Sequence, residues 1–136
     1  MRPLVVDASV AVKWFLPEIY AEAAERVLKS KRQMLSPDLI WAEVGNVLWK
    51  KVRRHEITTE EAGDILKDFL KFPLETYASK VLLSAAWDFA GRAGVSVYDG
   101  LYLALATGQH CSLVTADRKL YEKFPKLKLV WVEDIR

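Results

Sequence analysis

The chain has one cysteine, two histidines and no long apolar run among its 136 residues. Cys111 has no partner for an internal disulfide, and the adjacent His110 and Cys111 lack the further ligands that a zinc site needs. No segment approaches the roughly 18 consecutive apolar residues of a membrane-spanning helix. Arg2 places a charge too early for the core of a signal peptide. We therefore expect a cytoplasmic protein with no membrane partner.

The chain also lacks a large excess of charge of either sign. It has 20 Lys and Arg against 18 Asp and Glu, which leaves a net charge of +2. With 51% hydrophobic residues it is too apolar and too balanced for a disordered protein, and it is not a strongly basic coat for nucleic acid. The length predicts a single domain of residues 1–136, which buries about two thirds of the surface of the unfolded chain.

Short apolar segments alternate with segments of helical periodicity. Strands are predicted at residues 4–6, 34–36, 112–115 and 127–132, with a further short strand at 72–76. Helices are predicted over residues 8–15, 20–29, 37–53, 59–69, 77–90, 98–107 and 118–123. Because no Asn-Gly or similar hairpin signal separates the strands, crossover connections between parallel strands are favoured. We predict a helix-rich α/β fold, a three-layer α/β/α sandwich around a small parallel sheet of four or five strands.

Three aspartates lie near the starts of predicted helices, and two of them come within two residues of the ends of predicted strands. Asp7 comes directly after the first strand, and Asp117 lies two residues after Thr115, where another strand ends. Parallel strands present their carboxyl ends at one edge, where sites form in such sheets. Asp99 lies at the start of the predicted helix of residues 98–107. Taken singly, each aspartate is more typical of a helix N-cap than of a functional site.

Glu43 is harder to interpret as a solvent-exposed residue. On its predicted helix it lies beside Ile40 at the edge of the apolar stripe, and no Lys or Arg stands three or four residues away. A buried carboxylate requires a cationic partner. A divalent cation with oxygen ligands would supply one, and several gathered carboxylates would repel each other without it. Such a site suits metal-assisted hydrolysis of a phosphodiester.

Four segments, in this order, resemble the PIN-domain family: residues 5–9, 41–46, 97–104 and 113–117. The resemblance covers essentially the whole chain, and its compact length is similar to that of the VapC toxins of VapBC toxin–antitoxin pairs. It implies an endoribonuclease that requires Mg²⁺ or Mn²⁺ and hydrolyses phosphodiester bonds in single-stranded regions of RNA. It also implies a toxin of a type II toxin–antitoxin system, a homodimer, and a small VapB-like antitoxin that blocks the site.

The resemblance assigns roles to particular residues. The acidic metal-site positions of the family are matched by Asp7, Glu43, Asp99 and Asp117. Polar positions that support such a site are matched by Ser9, Asn46 and Thr115. Gly100 stands where the family often has alanine, and we expect it to loosen the start of its helix slightly without affecting the ligands.

Basic residues close in sequence to the acidic segments are candidate RNA contacts: Lys13, Arg92, Arg118 and Lys119. The last two are equally typical of an ordinary surface helix. The denser basic run of residues 50–54 is more typical of a helix C-terminus. We interpret the net charge of +2 as an average over an acidic pocket and basic surroundings. Core packing or a groove for a second copy or an antitoxin accounts equally well for Trp14, Phe15, Trp41 and Trp49.

Other enzyme classes match the chain less well. A receiver domain has adjacent acids early in the chain, and a haloacid-dehalogenase phosphatase has Asp-x-Asp, whereas here Asp7 is followed by Ala8 and Ser9. Two alternatives remain: a non-toxin PIN nuclease in RNA processing, and a PIN-fold binding module without hydrolytic activity. RNA cleavage that chelation abolishes would distinguish a nuclease from the binding module.

Overall fold

The computed structural model describes residues 2–123 and 129–135. Its centre is a parallel sheet of five strands in the order β3-β2-β1-β4-β5. The strands are β1 (Leu4–Val6), β2 (Met34–Pro37), β3 (Leu74–Tyr77), β4 (Ser112–Thr115) and β5 (Leu129–Trp131). Central β1 pairs with two neighbours, so that Leu4 lies opposite Met34 on one side and Ser112 on the other. All carboxyl ends therefore lie at one edge, where Asp7 and Asp117 follow their strands.

Helices cover both faces of this sheet. They are α1 (Ala8–Ala11), α2 (Ala21–Lys29), α3 (Leu39–Arg53), α4 (Thr59–Leu70), α5 (Ser79–Ala93), α6 (Val97–Gly108) and α7 (Arg118–Lys123). Short 3₁₀ turns follow α1 at Val12–Trp14 and β5 at Val132–Asp134. No helix within residues 2–123 and 129–135 has the length and apolar character to cross a membrane.

Alternation along β1 explains the layers. Leu4 and Val6 point to one face and pack in a cluster with residues of α1 to α4, whereas Val5 packs on the opposite face with α6 and α7. Helix α5 packs on α6 through Ala86, which lies against Leu101 and Ala104. The prediction of a helix-rich α/β sandwich around a parallel sheet of four or five strands is confirmed.

Two predicted helix starts were wrong, and both errors have the same cause. Pro37 ends β2 and lies opposite Tyr77, the last residue of β3, so neither belongs to a helix. The backbone N–H of Asp38 donates to the carbonyl of Tyr77 at 2.8 Å and extends this pairing by one residue. Only then do α3 and α5 begin, at Leu39 and Ser79. The part of the predicted last strand at residues 127 and 128 lies outside the described residues.

Helices α5 and α6 approach each other closely at Gly100. A Cβ atom placed on Gly100 would lie 2.5 Å from the backbone oxygen of Ala86. The expectation that this glycine only loosens a helix start missed that contact. The connection between the helices uses Gly94, whose φ of 65° is the left-handed conformation favoured at a helix C-terminus. The close approach matters for the site because α6 carries Asp99.

Candidate active site

Asp7 lies at the centre of the carboxyl edge, directly after β1. Its side chain is only 6% exposed and caps α1 by accepting from the backbone N–H of Val10 at 3.2 Å. The hydroxyl of Ser9 donates to one carboxylate oxygen, and the hydroxyl of Thr115 donates to the other at 2.6 Å. Three neutral donors therefore hold this carboxylate in one orientation.

Both hydroxyl groups also accept from the backbone of the loop after β4, and the Ser9 contact joins α1 to that loop. The Ser9 oxygen accepts from the backbone N–H of Ala116 at 2.9 Å, and the Thr115 oxygen accepts from that of Asp117 at 3.0 Å. Because each hydroxyl already accepts from the backbone, its own proton is available to Asp7. Ser9 and Thr115 thus lie where they can support the site.

Asp117 follows these contacts and caps α7. Its Oδ1 accepts from the backbone N–H groups of Lys119 at 3.1 Å and Leu120 at 3.2 Å, while the residue itself is exposed. The capping interpretation and the site interpretation are therefore compatible for Asp117, as they are for Asp7.

Asp99 is half-buried in the first turn of α6 and is not its N-cap, contrary to the N-cap interpretation. The N-cap is Ser96, whose side-chain oxygen accepts from the backbone N–H of Asp99 at 3.1 Å. Since Ser96 satisfies the helix end, the carboxylate of Asp99 is not required for capping.

Glu43 lies on α3 and contacts α6. The hydroxyl of Tyr102 donates to Glu43 Oε1 at 2.6 Å. Glu43 is half-buried, whereas Tyr102 is only 2% exposed. Tyr102, which was not among the predicted site residues, therefore holds the carboxylate of Glu43.

The four carboxylates influence one another electrostatically. Burial raises the pKa of Asp7 from 3.8 to about 6 against the three hydrogen bonds that lower it, and the charge of Asp117 raises it further. Burial and the charge of Asp117 also raise the pKa of Asp99, and the positive charge of Lys123 partly offsets this rise. Burial raises the pKa of Glu43, the hydrogen bond from Tyr102 opposes this, and the charge of Asp99 adds to it.

No salt bridge to any of these four carboxylates occurs within the described residues, and only the charge of Lys123 acts on one of them, Asp99. The ion pairs there involve other carboxylates, those of Glu18, Glu25 and Glu56. Within the same ranges, no three His, Cys, Asp or Glu side chains are grouped closely enough to enclose a metal by themselves. Oxygen donors with raised pKa values and no salt-bridge partner suit Mg²⁺ or Mn²⁺, and Mg²⁺ usually uses one or two carboxylates and several waters. The residues present therefore fit a hydrated divalent cation.

The remaining predicted site residues have varied surroundings. Asn46 is exposed on α3 and makes no side-chain hydrogen bond among the described residues. Lys13 has a side chain only 11% exposed, and its Nζ lies 3.4 Å from Glu18. Arg118 covers the ring of Trp131, 3.9 Å from the ring centroid. The two exposed candidates without such a contact among the described side chains are Arg92 and Lys119.

The aromatic residues are divided between core and surface. Trp14 stacks on Phe72 with ring centroids 4.6 Å apart, and Trp41 lies 4.9 Å from Phe69. Phe15 also packs in this cluster, so core packing accounts for three of the four predicted groove residues. Trp49 is 57% exposed, and Trp87 on α5 is 69% exposed.

Comparison with known proteins gives a consistent result. Ribonuclease VapC3 of Pyrobaculum aerophilum is 39% identical over 126 residues, which cover 91% of this chain and 96% of that protein. A crystal structure of a protein from the same organism has a TM-score of 0.73 at 27% identity and covers 97% of this chain and 90% of its own. A toxin–antitoxin complex from Klebsiella pneumoniae shares the fold, with a TM-score of 0.67 at 15% identity over 93% of this chain and 95% of that one.

The family model described as PIN domain matches residues 4–125, a range that includes all four carboxylates. The order of segments, the parallel sheet and the acids at its carboxyl edge agree with that match. This chain belongs to the PIN-domain family.

Proposed function

We propose that this protein is a metal-dependent endoribonuclease that hydrolyses phosphodiester bonds in single-stranded regions of RNA. The observation that supports this best is the electrostatic influence of the four carboxylates on one another, with pKa values raised for Asp7, Glu43 and Asp99. The similarity to Ribonuclease VapC3 supports the same reaction class. Mg²⁺ or Mn²⁺ bound there would offset the charge and supply the Lewis acid for phosphodiester hydrolysis.

The residues of the chain have distinct tasks in this proposal. The carboxylates of Asp7, Glu43, Asp99 and Asp117 provide the oxygen ligands. Ser9 and Thr115 fix Asp7 through their hydroxyl groups. Arg92 and Lys119 are the exposed cations that would contact RNA phosphates, whereas Lys13 is engaged by Glu18.

Cleavage of a defined RNA panel tests the proposal. We expect cleavage with Mg²⁺ or Mn²⁺, none after chelation with EDTA, and recovery when the metal is restored. Asp99→Asn should lower the cleavage rate by about a hundredfold or more, because a charged ligand is lost while the volume is kept. The exposed Asp64 on α4 offers the matched control, and Asp64→Asn should cleave like the wild type. Undiminished cleavage by folded Asp99→Asn would contradict the assignment.

We also propose that the protein is the toxin of a VapBC-like pair and acts in the cytoplasm, with a small antitoxin as its inhibitor. The names of its relatives and the shared fold of a toxin–antitoxin complex support this. Trp49 on α3 and Leu70 on α4 are 57% and 68% exposed, and such exposed apolar side chains suit contact with an apolar segment of an antitoxin. A short antitoxin reading frame next to the gene would support the pairing, and its purified product should suppress RNA cleavage.

A second copy of the chain is the proposed occupant of another exposed face, on α5. A shallow groove there is lined by Lys80, Leu83, Ser84, Trp87, Asp88 and Val97. Lys80, Ser84 and Asp88 follow at intervals of four residues, so they form one stripe along the helix. In a two-fold pair with antiparallel α5 helices crossing at Ser84, Lys80 of each copy faces Asp88 of the other. This self-complementary charge pattern favours a homodimer over an unrelated partner at this face.

A further inference from the structure

Tyr102 occupies an unusual position for a buried tyrosine. It lies on α6 three residues after Asp99, and side chains at that spacing share one side of a helix. The neighbouring buried residues on α6, Leu101, Leu103 and Leu105, are apolar, so the Tyr102 hydroxyl is a polar atom in an otherwise apolar stretch. A tyrosine hydroxyl at such a position needs a hydrogen-bond partner.

That partner is a carboxylate of the site and not a backbone carbonyl. The hydroxyl donates to Glu43 Oε1 at 2.6 Å across 59 residues of sequence, a short distance typical of a charge-assisted hydrogen bond. No other side-chain hydrogen bond to Glu43 occurs within residues 2–123 and 129–135, so Oε2 of Glu43 remains available to a ligand there.

The surroundings of the hydroxyl keep it a donor. Burial and the neighbouring charges of Glu43 and Asp7 raise the pKa of Tyr102 well above its ordinary value of 10.0. A carboxylate oxygen can only accept, so the 2.6 Å contact with Glu43 Oε1 makes the phenol the donor.

We propose that Tyr102 is a positioning residue that holds one oxygen of Glu43 and thereby directs the other toward the bound divalent cation. This inference rests on the proposed metal-dependent function. The carboxylate of Glu43 ends a long flexible side chain on α3, in the layer opposite α6. Without the Tyr102 hydroxyl, this side chain would sample several rotamers. Hydrogen-bonding partners of metal ligands commonly contribute 10–100-fold to metal affinity.

Binding of Mn²⁺ alone, without RNA, tests the inference by calorimetry or by electron paramagnetic resonance of the free ion. Tyr102→Phe removes only the hydroxyl, and we expect it to weaken Mn²⁺ binding about tenfold or more. The exposed Tyr98 lies on the same helix, and Tyr98→Phe is the matched control that should bind Mn²⁺ like the wild type. Melting of the metal-free variants establishes that each is folded.

A double-mutant cycle distinguishes positioning of Glu43 from a general effect on the core. In a Glu43→Gln background, Tyr102→Phe should change Mn²⁺ affinity by less than about twofold, because its target is already altered. An equal loss in both backgrounds, or unchanged affinity in Tyr102→Phe when Glu43→Gln weakens binding, would overturn the role of Tyr102 alone. Equal affinity of the wild type and Glu43→Gln, or no binding by the wild type, would instead overturn the metal site and this inference with it.

Discussion

At the scale of single residues, the site combines acids that the chain stabilises in different ways. Asp7 is buried under three neutral donors, Asp117 is an exposed cap, and Glu43 depends on one phenol. The cost of burying a charge is greatest at Asp7, because this carboxylate is buried and forms no salt bridge among the described residues. Such a group is less costly in its protonated form, and this has a measurable effect on stability.

The stability of the metal-free protein should depend on pH through Asp7. Its folded pKa of about 6 exceeds the ordinary value of 3.8, so its favourable contribution is complete below about pH 4 and is lost as the pH rises through 6. A shift of about two units corresponds to roughly 3 kcal/mol. Between pH 4 and 7, the unfolding free energy of the wild type should therefore fall more steeply than that of Asp7→Asn.

Urea unfolding in EDTA at several pH values measures both profiles. The slopes are compared, so a constant loss of hydrogen bonding in Asp7→Asn cancels, as do the contributions of Glu43 and Asp99. Asp64→Asn, with an exposed side chain on α4, should keep the slope of the wild type. Parallel profiles for the wild type and Asp7→Asn would show that Asp7 has no raised pKa.

At the scale of the elements, α6 is the helix on which the site depends most. It carries both Asp99 and Tyr102, it packs on the sheet through Leu103 and Leu105, and it supports α5 on its outer side. Gly100 is next to the site residue Asp99 in the chain, and it also contacts the backbone of Ala86 on α5.

Gly100→Ala should destabilise the protein although alanine is the better helix former. The gain in helix propensity is about 1 kcal/mol, but the new Cβ would meet the backbone oxygen of Ala86 at 2.5 Å. Backbone cannot yield as a flexible side chain does, so we expect a net loss of about 1–3 kcal/mol. Gly63 on α4 has open space around its Cβ position, and Gly63→Ala should stabilise by up to about 1 kcal/mol. Thermal melting of both variants measures the contrast, and equal shifts would contradict close packing at Gly100.

At the scale of the whole molecule, the proposed function depends on surfaces that are not buried in the core. The carboxylates follow β1 and β4 or lie on α3 and α6, Trp49 and Leu70 are exposed on α3 and α4, and the groove lies on α5. A net charge of +2 for the whole chain conceals this division, since acidic side chains gather at the sheet edge while Arg92 and Lys119 remain exposed.

Charge reversal on α5 should control dimerisation. Lys80→Glu or Asp88→Lys alone creates two like-charge contacts across the two-fold axis, and we expect either to weaken the dimer about tenfold or more. The double variant exchanges the signs and should restore the wild-type mass in sedimentation equilibrium. Lys71→Glu, at an exposed position beyond α4, should leave the mass unchanged. A monomeric wild type, or single variants with wild-type affinity, would refute the α5 interface.

The sequence was sufficient for most of the elements and for part of the site. The Ser112–Thr115 strand and the Arg118–Lys123 helix were predicted with the bounds they have, since apolar runs and periodicity are local signals. The boundaries at Pro37 and Tyr77 were missed because those residues pair with each other across the sheet. Tyr102 was missed for a similar reason, since its partner Glu43 lies 59 residues away.

The sequence by itself determined the alternation of strands and helices, and with it the edge at which Asp7 and Asp117 follow their strands. Only the tertiary structure decided which groups contact each carboxylate: Ser9 and Thr115 for Asp7, and Tyr102 for Glu43. It also decided that Lys13 pairs with Glu18 and that the backbone of α5 packs closely against Gly100. The physical reason is range, because periodicity and capping act within one or two turns, whereas hydrogen bonds, ion pairs and close packing join segments that only the folded chain brings together.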